Sequence, residues 1–146
     1  MHSVCVFCGG NPGARPSYAA AAAGLGGVLA RSGLTLVASM HERKATMAAH
    51  ADAFVALPGG FGTLEELFEV LTWSQLGLHR KPCALLDVDG YYTSLVAFLD
   101  HAVREGLLRP EYRAMLFVES DPARLVDRLA RHEPPVVEKA IEPSQT

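Results

Sequence analysis

A glycine-rich turn between an apolar run and a helical pattern is the stretch of this chain best suited to chemistry. Residues 53–57 are apolar, and Gly59, Gly60, Gly62 and Thr63 come shortly after them. In a parallel α/β protein, such a turn presents backbone N–H groups at a helix start to a phosphate. A tight turn without a ligand is the alternative, but three glycines in four positions exceed what a short strand-to-helix connection needs. The pattern is neither a Walker loop nor a G-x-G-x-x-G fingerprint, and it predicts an anion site built from these four residues.

Glu66 is the candidate functional carboxylate of the same segment. It lies three positions after Thr63, and the two residues also match a capping box, in which Thr63 caps the helix and Glu66 bonds back. The pair alone favours capping, whereas the glycine turn before it favours a functional carboxylate. A functional role for Glu66 is therefore predicted, and it is compatible with capping.

A charged block at residues 40–47 supplies a second set of candidates. Arg43 and Lys44 fall in the first turns of a predicted helix, where cations oppose the helix dipole. Glu42, Glu66 or a bound anion should compensate them. The alternative is a solvated basic face, as is usual for basic residues that stand alone.

The cysteines and histidines form no complete redox or metal motif. Cys5 and Cys8 have the C-x-x-C spacing, but they fall inside an apolar run, whereas a redox pair should open a helix. A core strand is the favoured interpretation, and an odd number of cysteines argues against a disulfide framework. His41 begins an H-E-x-x-H pattern that Ala45 breaks, so no metal site is predicted.

The composition is that of an ordinary globular protein, and its net charge gives no reason to expect a polyanion as partner. The chain has 146 residues, which is long enough for one domain with a hydrophobic core. Apolar residues make up 49% and charged residues 20%, which are ordinary values for a globular protein. The formal net charge of −3 gives no reason to expect binding to nucleic acid or to an anionic membrane. No apolar run approaches the length of a membrane span, and the N-terminus lacks the regions of a signal peptide. The expected location is the cytoplasm.

Short apolar runs alternate with helical patterns, which predicts a parallel sheet covered by helices on both faces. The predicted strands are residues 3–8, 34–38, 53–57, 83–88 and 115–119. The predicted helices are residues 17–31, 41–51, 63–78, 91–104 and 121–132, with Ser17 and Ser120 as caps and Gly33 and Gly106 as stops. Residues 1–132 are expected to form one domain, and residues 133–146 a loose tail.

The remaining apolar and turn residues carry structural expectations. The helix at 63–78 has an apolar stripe formed by Leu64, Leu67, Phe68, Leu71 and Leu76. Five consecutive alanines, residues 19–23, suggest close packing. Core or interface positions are expected, rather than base-stacking roles, for Trp73, Tyr91 and Tyr92. Residues 79–81 are expected to be an exposed connection and residues 89–90 a turn.

The glycine turn and the charged block, in this order, resemble the LOG family of cytokinin riboside 5′-monophosphate phosphoribohydrolases, formerly called lysine decarboxylases. The family pattern is P-G-G-x-G-T-x-x-E preceded by M-H-E-R-K-x-x-M, and both motifs are complete here. The flanking residues agree over roughly residues 3–132. The resemblance implies a Rossmann-like doubly wound sheet and a homodimer with the site near the subunit interface. It assigns catalysis to Arg43 and Glu66, and substrate or phosphate binding to Met40, Lys44 and the glycine turn.

The resemblance also implies a reaction. It is hydrolysis of the N-glycosidic bond of a nucleoside 5′-monophosphate, such as AMP or isopentenyladenosine monophosphate, to free base and ribose 5-phosphate. The residue types suit it, because a carboxylate such as Glu66 stabilises positive charge on the ribose and Arg43 neutralises phosphate or aligns Glu66. No metal or cofactor is required. The older decarboxylase label is rejected, because pyridoxal phosphate chemistry needs a supported Schiff-base lysine.

One departure from the family pattern concerns the stretch before the charged block. The family has a second glycine-rich turn, Y-G-G-G-x-x-G-L-M-G, after the strand equivalent to residues 34–37, followed by a helix and another strand. Here residues 36–39 run directly into Met40. The sheet is therefore expected to be shorter by at least one strand and helix, with an open edge. The alternatives are an active short enzyme, a catalytically impaired or inactive nucleotide-binding or oligomeric relic, and an artefact of a deletion.

Overall fold

The computed structural model of the chain describes residues 1–37 and 49–133. The strands are β1 (Ser3–Phe7), β2 (Thr35–Val37), β3 (Ala53–Ala56), β4 (Cys83–Leu86) and β5 (Leu116–Glu119). The helices are α1 (Pro16–Arg31), α2 (Phe61–Gln75), α3 (Thr93–Arg104), α4 (Pro110–Arg113) and α5 (Pro122–Ala130).

The five strands form one parallel sheet in the order β2-β1-β3-β4-β5. All four pairings are parallel, and β1 is bonded to β2 on one side and β3 on the other. The chain thus crosses from one half of the sheet to the other between β1 and β3, whose last residues Phe7 and Ala56 are paired. In doubly wound sheets, ligands bind outside the carboxyl ends of the strands at this switch point.

Alternate strand residues pack against helices on opposite faces. On one face, Val4 and Val55 lie in a core cluster with Leu25 and Leu29 of α1 and with Leu125 of α5. On the other face, Cys5, Phe54 and Leu85 cluster with Leu67 and Val70 of α2. This period of two, with both faces covered, confirms the predicted α/β class.

The predicted strands are confirmed within one or two residues, but two of the predicted helix caps are wrong. Helix α1 begins at Pro16, and Ser17 lies inside it with its hydroxyl donating to Asp89 at 2.5 Å. Helix α5 is capped by Asp121, which accepts from the N–H of Arg124 at 2.8 Å, and not by Ser120. Proline at the first helical position sets each start, because it needs no hydrogen-bond partner there.

The glycine stops and the aromatic core were predicted correctly. Gly33 and Gly106 have φ values of +66° and +73°, the left-handed conformation that ends a helix. Tyr92 is buried, and Trp73 packs against the core cluster around Phe54. Helix α4 was not predicted, because four residues carry no periodic signal.

Three packing expectations need correction. Four of the five alanines at 19–23 are exposed, so this stretch is not closely packed within the chain. Helix α2 turns Thr63, Leu67 and Val70 to the sheet, and Phe68 and Leu76 of the predicted stripe are exposed. His79 is half-buried, with its Nε2 2.8 Å from the Val70 carbonyl oxygen and its ring 5.3 Å from that of Phe54. The connection at residues 79–81 is therefore partly packed.

Strand β2 forms an edge of the sheet in the described part of the chain, and Leu36 on it is 50% exposed.

Residues 49 and 50 are helical, while the rest of the predicted helix up to residue 48, and the tail from 134, lie outside the described residues. The extent of the domain, residues 1–132, stays a prediction. None of the described helices has the length and apolar character needed to cross a membrane.

Candidate functional site

A cavity of about 880 Å³ lies at the carboxyl ends of β1 and β3. One wall is the connection after β1, residues 8–13, with the first turns of α1. The other wall is the glycine turn at residues 57–60 and the start of α2. The cavity lies at the switch point of the sheet, where the connections from the adjacent strands β1 and β3 lead in opposite directions, to β2 and to β4.

Helix α2 begins at Phe61 with Gly60 as its cap residue, so the predicted start at Thr63 is wrong. Gly60 has no side chain to satisfy the first N–H groups, and the predicted capping box with Thr63 as the cap does not form. Thr63 is instead the third helical residue. The helix thus starts on a glycine beside the cavity, which is the arrangement that offers backbone N–H groups to an anion.

Gly59 is required by a close contact between the two cavity walls. A Cβ atom on Gly59 would lie 2.2 Å from the Oγ1 of Thr63 and 3.1 Å from the backbone N of Gly9. The first distance is well below any real contact, so no other residue fits here without a shift. Gly59 therefore lets the connection after β1, the glycine turn and the first turn of α2 meet at one point.

Thr63 is a buried hydroxyl at the base of this site. Its side chain is 3% exposed and lies on the same helical stripe as Leu67 and Val70, which face the core. Its Oγ1 has no hydrogen-bond partner among the residues that the structure describes. Leaving a buried polar group unpaired costs roughly 1–3 kcal/mol, so such a group points to a ligand contact.

Glu66 follows Thr63 by three positions, which places it on the same side of α2, and it lines the cavity. It is half-buried. Burial, and secondarily the charge of Glu66, raise the pKa of the Cys5 thiol to about 12. Cys5 lies in the middle of β1, and Glu66 is therefore close enough to this strand for its charge to act on the thiol.

The structure thus brings together five of the predicted site residues, and three lie outside the described part. Those that line the cavity are Gly59, Gly60, Gly62, Thr63 and Glu66. Met40, Arg43 and Lys44 fall in the segment 38–48, outside the described residues.

Sequence reasoning missed two aromatic residues of the cavity. Tyr18 in the first turn of α1 and Tyr91 after β4 both line it, and their rings are in edge contact at 5.6 Å. Of the predicted core or interface positions, Tyr92 takes a core position, whereas Tyr91 is 42% exposed, and an interface position for it stays a prediction. The position of Tyr91 in the chain could have indicated its place, because Tyr91 follows β4, and the carboxyl end of β4 lies next to that of β3 in the sheet.

The structure also bears on the remaining chemical alternatives. Cys5 is buried on β1 and Cys8 is exposed just after it, and both are free, which agrees with a core strand rather than a redox pair. Within residues 1–37 and 49–133, no three His, Cys, Asp or Glu side chains are grouped so as to hold a metal ion.

The strand order and the cavity at the switch point define a doubly wound parallel α/β protein of the Rossmann-like class. Residues 26–129 match the family model described as "Possible lysine decarboxylase". The chain is 40% identical to cytokinin riboside 5′-monophosphate phosphoribohydrolase LOG7 of Arabidopsis thaliana, with 90% of this chain and 82% of the relative covered. It is also 40% identical to the probable phosphoribohydrolase LOGL5 of Oryza sativa subsp. japonica, over 90% of this chain and 73% of the relative. The chain belongs to this family of LOG phosphoribohydrolases.

Proposed function

We propose that the protein hydrolyses the N-glycosidic bond of a nucleoside 5′-monophosphate, releasing the free base and ribose 5-phosphate. The observation that carries this proposal is the buried hydroxyl of Thr63, which has no partner among the described residues and lies beside a glycine turn and one helical turn from Glu66. A candidate anion-binding site and a carboxylate thus lie on the same wall of the cavity. The relatives named above carry this activity in their names.

The glycine turn is proposed to bind the 5′-phosphate. The N–H groups at the start of α2 and the hydroxyl of Thr63 point to an anion, and the Gly60 cap leaves room for it. Binding the phosphate fixes the ribose without taking part in bond breaking, so its binding energy positions the glycosidic carbon.

Glu66 is proposed to act on the ribose. When the glycosidic bond breaks, its electron pair leaves with the base nitrogen, and the ribose carbon becomes oxocarbenium-like. A nearby carboxylate stabilises this charge and orients the water that adds to the carbon. One proton of that water is then released, and the departing base nitrogen takes up a proton.

Arg43, Lys44 and Met40 are proposed to complete the site from the second motif. Strand β2 ends at Val37, at the same edge of the sheet as the ends of β1 and β3, and Met40 follows it by three residues. This short distance along the chain supports a position of the motif near the cavity. Arg43 would then neutralise phosphate or align Glu66.

No cofactor is proposed, and lysine decarboxylation is not favoured by the cavity. Pyridoxal phosphate enzymes need a lysine for the Schiff base. Among the described residues, Lys81 comes before β4, at the end of the sheet opposite the cavity, and Lys44 is proposed here to contact substrate and not to form a Schiff base. The cytoplasmic location expected from the sequence stays a prediction.

A homodimer is proposed because α2 carries an uncovered apolar face next to the cavity. Phe61 is 94% exposed and Phe68 is 36% exposed, and seven residues separate them, which places them on one side of the helix. Exposed aromatic residues at helical spacing are typical of a subunit interface.

A nucleotide-binding protein without turnover is the second candidate. The alignment with LOG7 extends over 178 residues, whereas this chain has 146 in total. This difference supports the proposal that an internal segment, with the second glycine-rich turn, is absent here. The open edge at β2 is consistent with such a loss.

The deciding experiment measures release of ribose 5-phosphate from AMP and from isopentenyladenosine monophosphate. We expect turnover by the wild type and a loss of at least a hundredfold in Glu66→Gln, which keeps the shape and removes the charge. Glu111→Gln is the control and should keep full turnover, because Glu111 is exposed on α4 and does not line the cavity. A folded wild type that binds AMP without cleaving it would favour the second candidate.

A further inference from the structure

Two consecutive tyrosines hold the glycine turn by its carbonyl oxygens. The hydroxyl of Tyr91 donates to the carbonyl oxygen of Gly59 at 2.7 Å. The hydroxyl of Tyr92 donates to the carbonyl oxygen of Leu57 at 2.5 Å. Both bonds cross from the connection after β4 to the connection after β3, so they join two segments that are more than thirty residues apart.

These bonds set the direction of the backbone in the glycine turn. In a trans peptide the C=O and the N–H of the next residue point in opposite directions. Holding the Gly59 carbonyl on Tyr91 therefore also orients the N–H of Gly60. A glycine turn without such contacts samples many orientations, because glycine has the widest backbone freedom.

The segment that carries the tyrosines, residues 87–92, is itself well held. The N–H of Tyr92 donates to Oδ1 of Asp87 at 2.8 Å. Asp89 and Gly90 are both left-handed, with φ of 53° and 72°, which makes a tight turn directly before Tyr91. The ring of Tyr92 is 2% exposed and stands edge-on to that of Tyr91 at 5.0 Å. We call residues 87–92 the tyrosine turn.

The tyrosine turn also contacts the opposite wall of the cavity. Asp89 accepts a hydrogen bond from the hydroxyl of Ser17 at 2.5 Å and lies 3.9 Å from Arg15. The ring of Tyr91 meets the ring of Tyr18 of α1 at 5.6 Å. Tyr91 thus contacts both walls at once, through its hydroxyl on one side and its ring on the other.

We propose that Tyr91 is a positioning residue that sets the affinity of the cavity for a phosphate group, by holding the glycine turn in one orientation against α1. The inference rests on the proposed function, since it assigns the glycine turn to phosphate. Tyr92 supplies the buried anchor of the same turn, and its loss affects folding. Tyr91 is 42% exposed, so removing its hydroxyl leaves the fold intact.

The test compares Tyr91→Phe with the wild type in binding to AMP, to ribose 5-phosphate and to adenosine, each measured by calorimetry. The variant keeps the ring contact with Tyr18 and loses the bond to Gly59. We expect the affinity for AMP and ribose 5-phosphate to fall about five- to tenfold, the equivalent of one hydrogen bond. Binding of adenosine, which lacks the phosphate, should change less than twofold.

Tyr112→Phe is the matched control. The hydroxyl of Tyr112 is buried in α4, outside the cavity, and has no hydrogen-bond partner among the described residues. This variant should bind all three compounds like the wild type. In an active enzyme, Tyr91→Phe should lower kcat/KM for AMP by the same five- to tenfold factor, because the lost contact acts through the phosphate that positions the ribose.

The outcomes separate this inference from the proposed function. Equal losses for adenosine and AMP, unchanged affinity in Tyr91→Phe, or a wild type that binds neither AMP nor ribose 5-phosphate would each overturn the positioning role. Turnover by the wild type with an unaffected Tyr91→Phe leaves the function standing and the inference wrong. Phosphate-dependent binding that weakens in the variant, without any turnover, supports the inference and refutes the hydrolase.

Discussion

At the scale of single residues, Thr63 combines two properties that oppose each other. It lies in the buried stripe of α2, where Leu67 and Val70 continue the pattern, yet it carries a hydroxyl that no described residue pairs with. A buried polar group without a partner lowers stability, and such groups are typical of functional sites, where stability is given up for binding.

We expect Thr63→Val to stabilise the free protein and weaken phosphate binding. Valine keeps the shape and replaces the unpaired hydroxyl with a methyl group, which should raise the free energy of unfolding by about 1 kcal/mol. Denaturant unfolding and AMP titration on the same preparation measure the two effects. Lower stability, or undiminished affinity for AMP, would contradict the assignment of this hydroxyl.

Gly59→Ala should weaken ligand binding through a steric clash. The added Cβ atom would lie 2.2 Å from Oγ1 of Thr63 and 3.1 Å from the backbone N of Gly9, so the two walls must separate. We expect at least a tenfold loss of AMP affinity, with destabilisation of about 1–3 kcal/mol. Gly26→Ala is the control: its Cβ atom meets nothing within 4 Å inside α1, and it should stabilise by about 0.5–1 kcal/mol.

At the scale of elements, the junction between β5 and α5 is held by one carboxylate. Glu119 accepts from the N–H groups of Ser120 and Asp121 at 3.0 and 3.4 Å, and Arg124 and Arg128 lie at 3.0 and 3.7 Å. Burial by itself would raise the pKa of Glu119, but the two N–H groups and the two arginines outweigh it and lower the pKa.

This lowered pKa makes the contribution of Glu119 depend on pH. A carboxyl group with a depressed folded-state pKa stabilises the protein above its unfolded value of about 4.3, and the contribution is lost as the pH falls through the folded value. We expect Glu119→Gln to lower the Tm by a few degrees at pH 7. Thermal unfolding of both proteins at lower pH should show the difference shrinking below about pH 4. A difference that is constant with pH would mean that charge is not the cause.

The elements themselves were largely predictable, while their starts were not. Apolar runs located the five strands of the described residues, because the central strands β1, β3 and β4 are covered on both faces and must be apolar. The start of α2 was misplaced by two residues, since Phe61 and Gly62 carry no start signal and the cap is a glycine. His79 was assigned to an exposed connection, because the pattern of neighbouring residues gives no information about its contacts with Val70 and Phe54.

At the scale of the whole molecule, the cavity depends on contacts that no local pattern contains. The glycine turn and Glu66 were identified from their own segment, because residue type and helical spacing are local properties. Tyr18 and Tyr91 were missed, since they reach the cavity only through the order of the strands. Long-range packing of this kind decides which of many turns and aromatic residues belong to a site.

The exposed face of α2, defined by Phe61 and Phe68, is expected to form the contact between two subunits. Burying two aromatic side chains stabilises an interface by several kcal/mol in gross terms, at about 25 cal/mol per Å². We expect the wild type to sediment as a dimer at micromolar concentration and Phe68→Glu to sediment as a monomer. Leu107→Glu is the control, because Leu107 is 86% exposed after α3 and does not lie on this face.

Loss of the dimer should also lower the affinity of the cavity for AMP. Phe61 immediately precedes Gly62, which lines the cavity. A partner subunit bound to this face would therefore contact the start of α2 and hold it in position. The monomeric Phe68→Glu variant should therefore bind AMP more weakly than the wild type, whereas Leu107→Glu should bind it equally well. If the wild type itself sediments as a monomer and binds AMP fully, the face has another role and the site is complete within one chain.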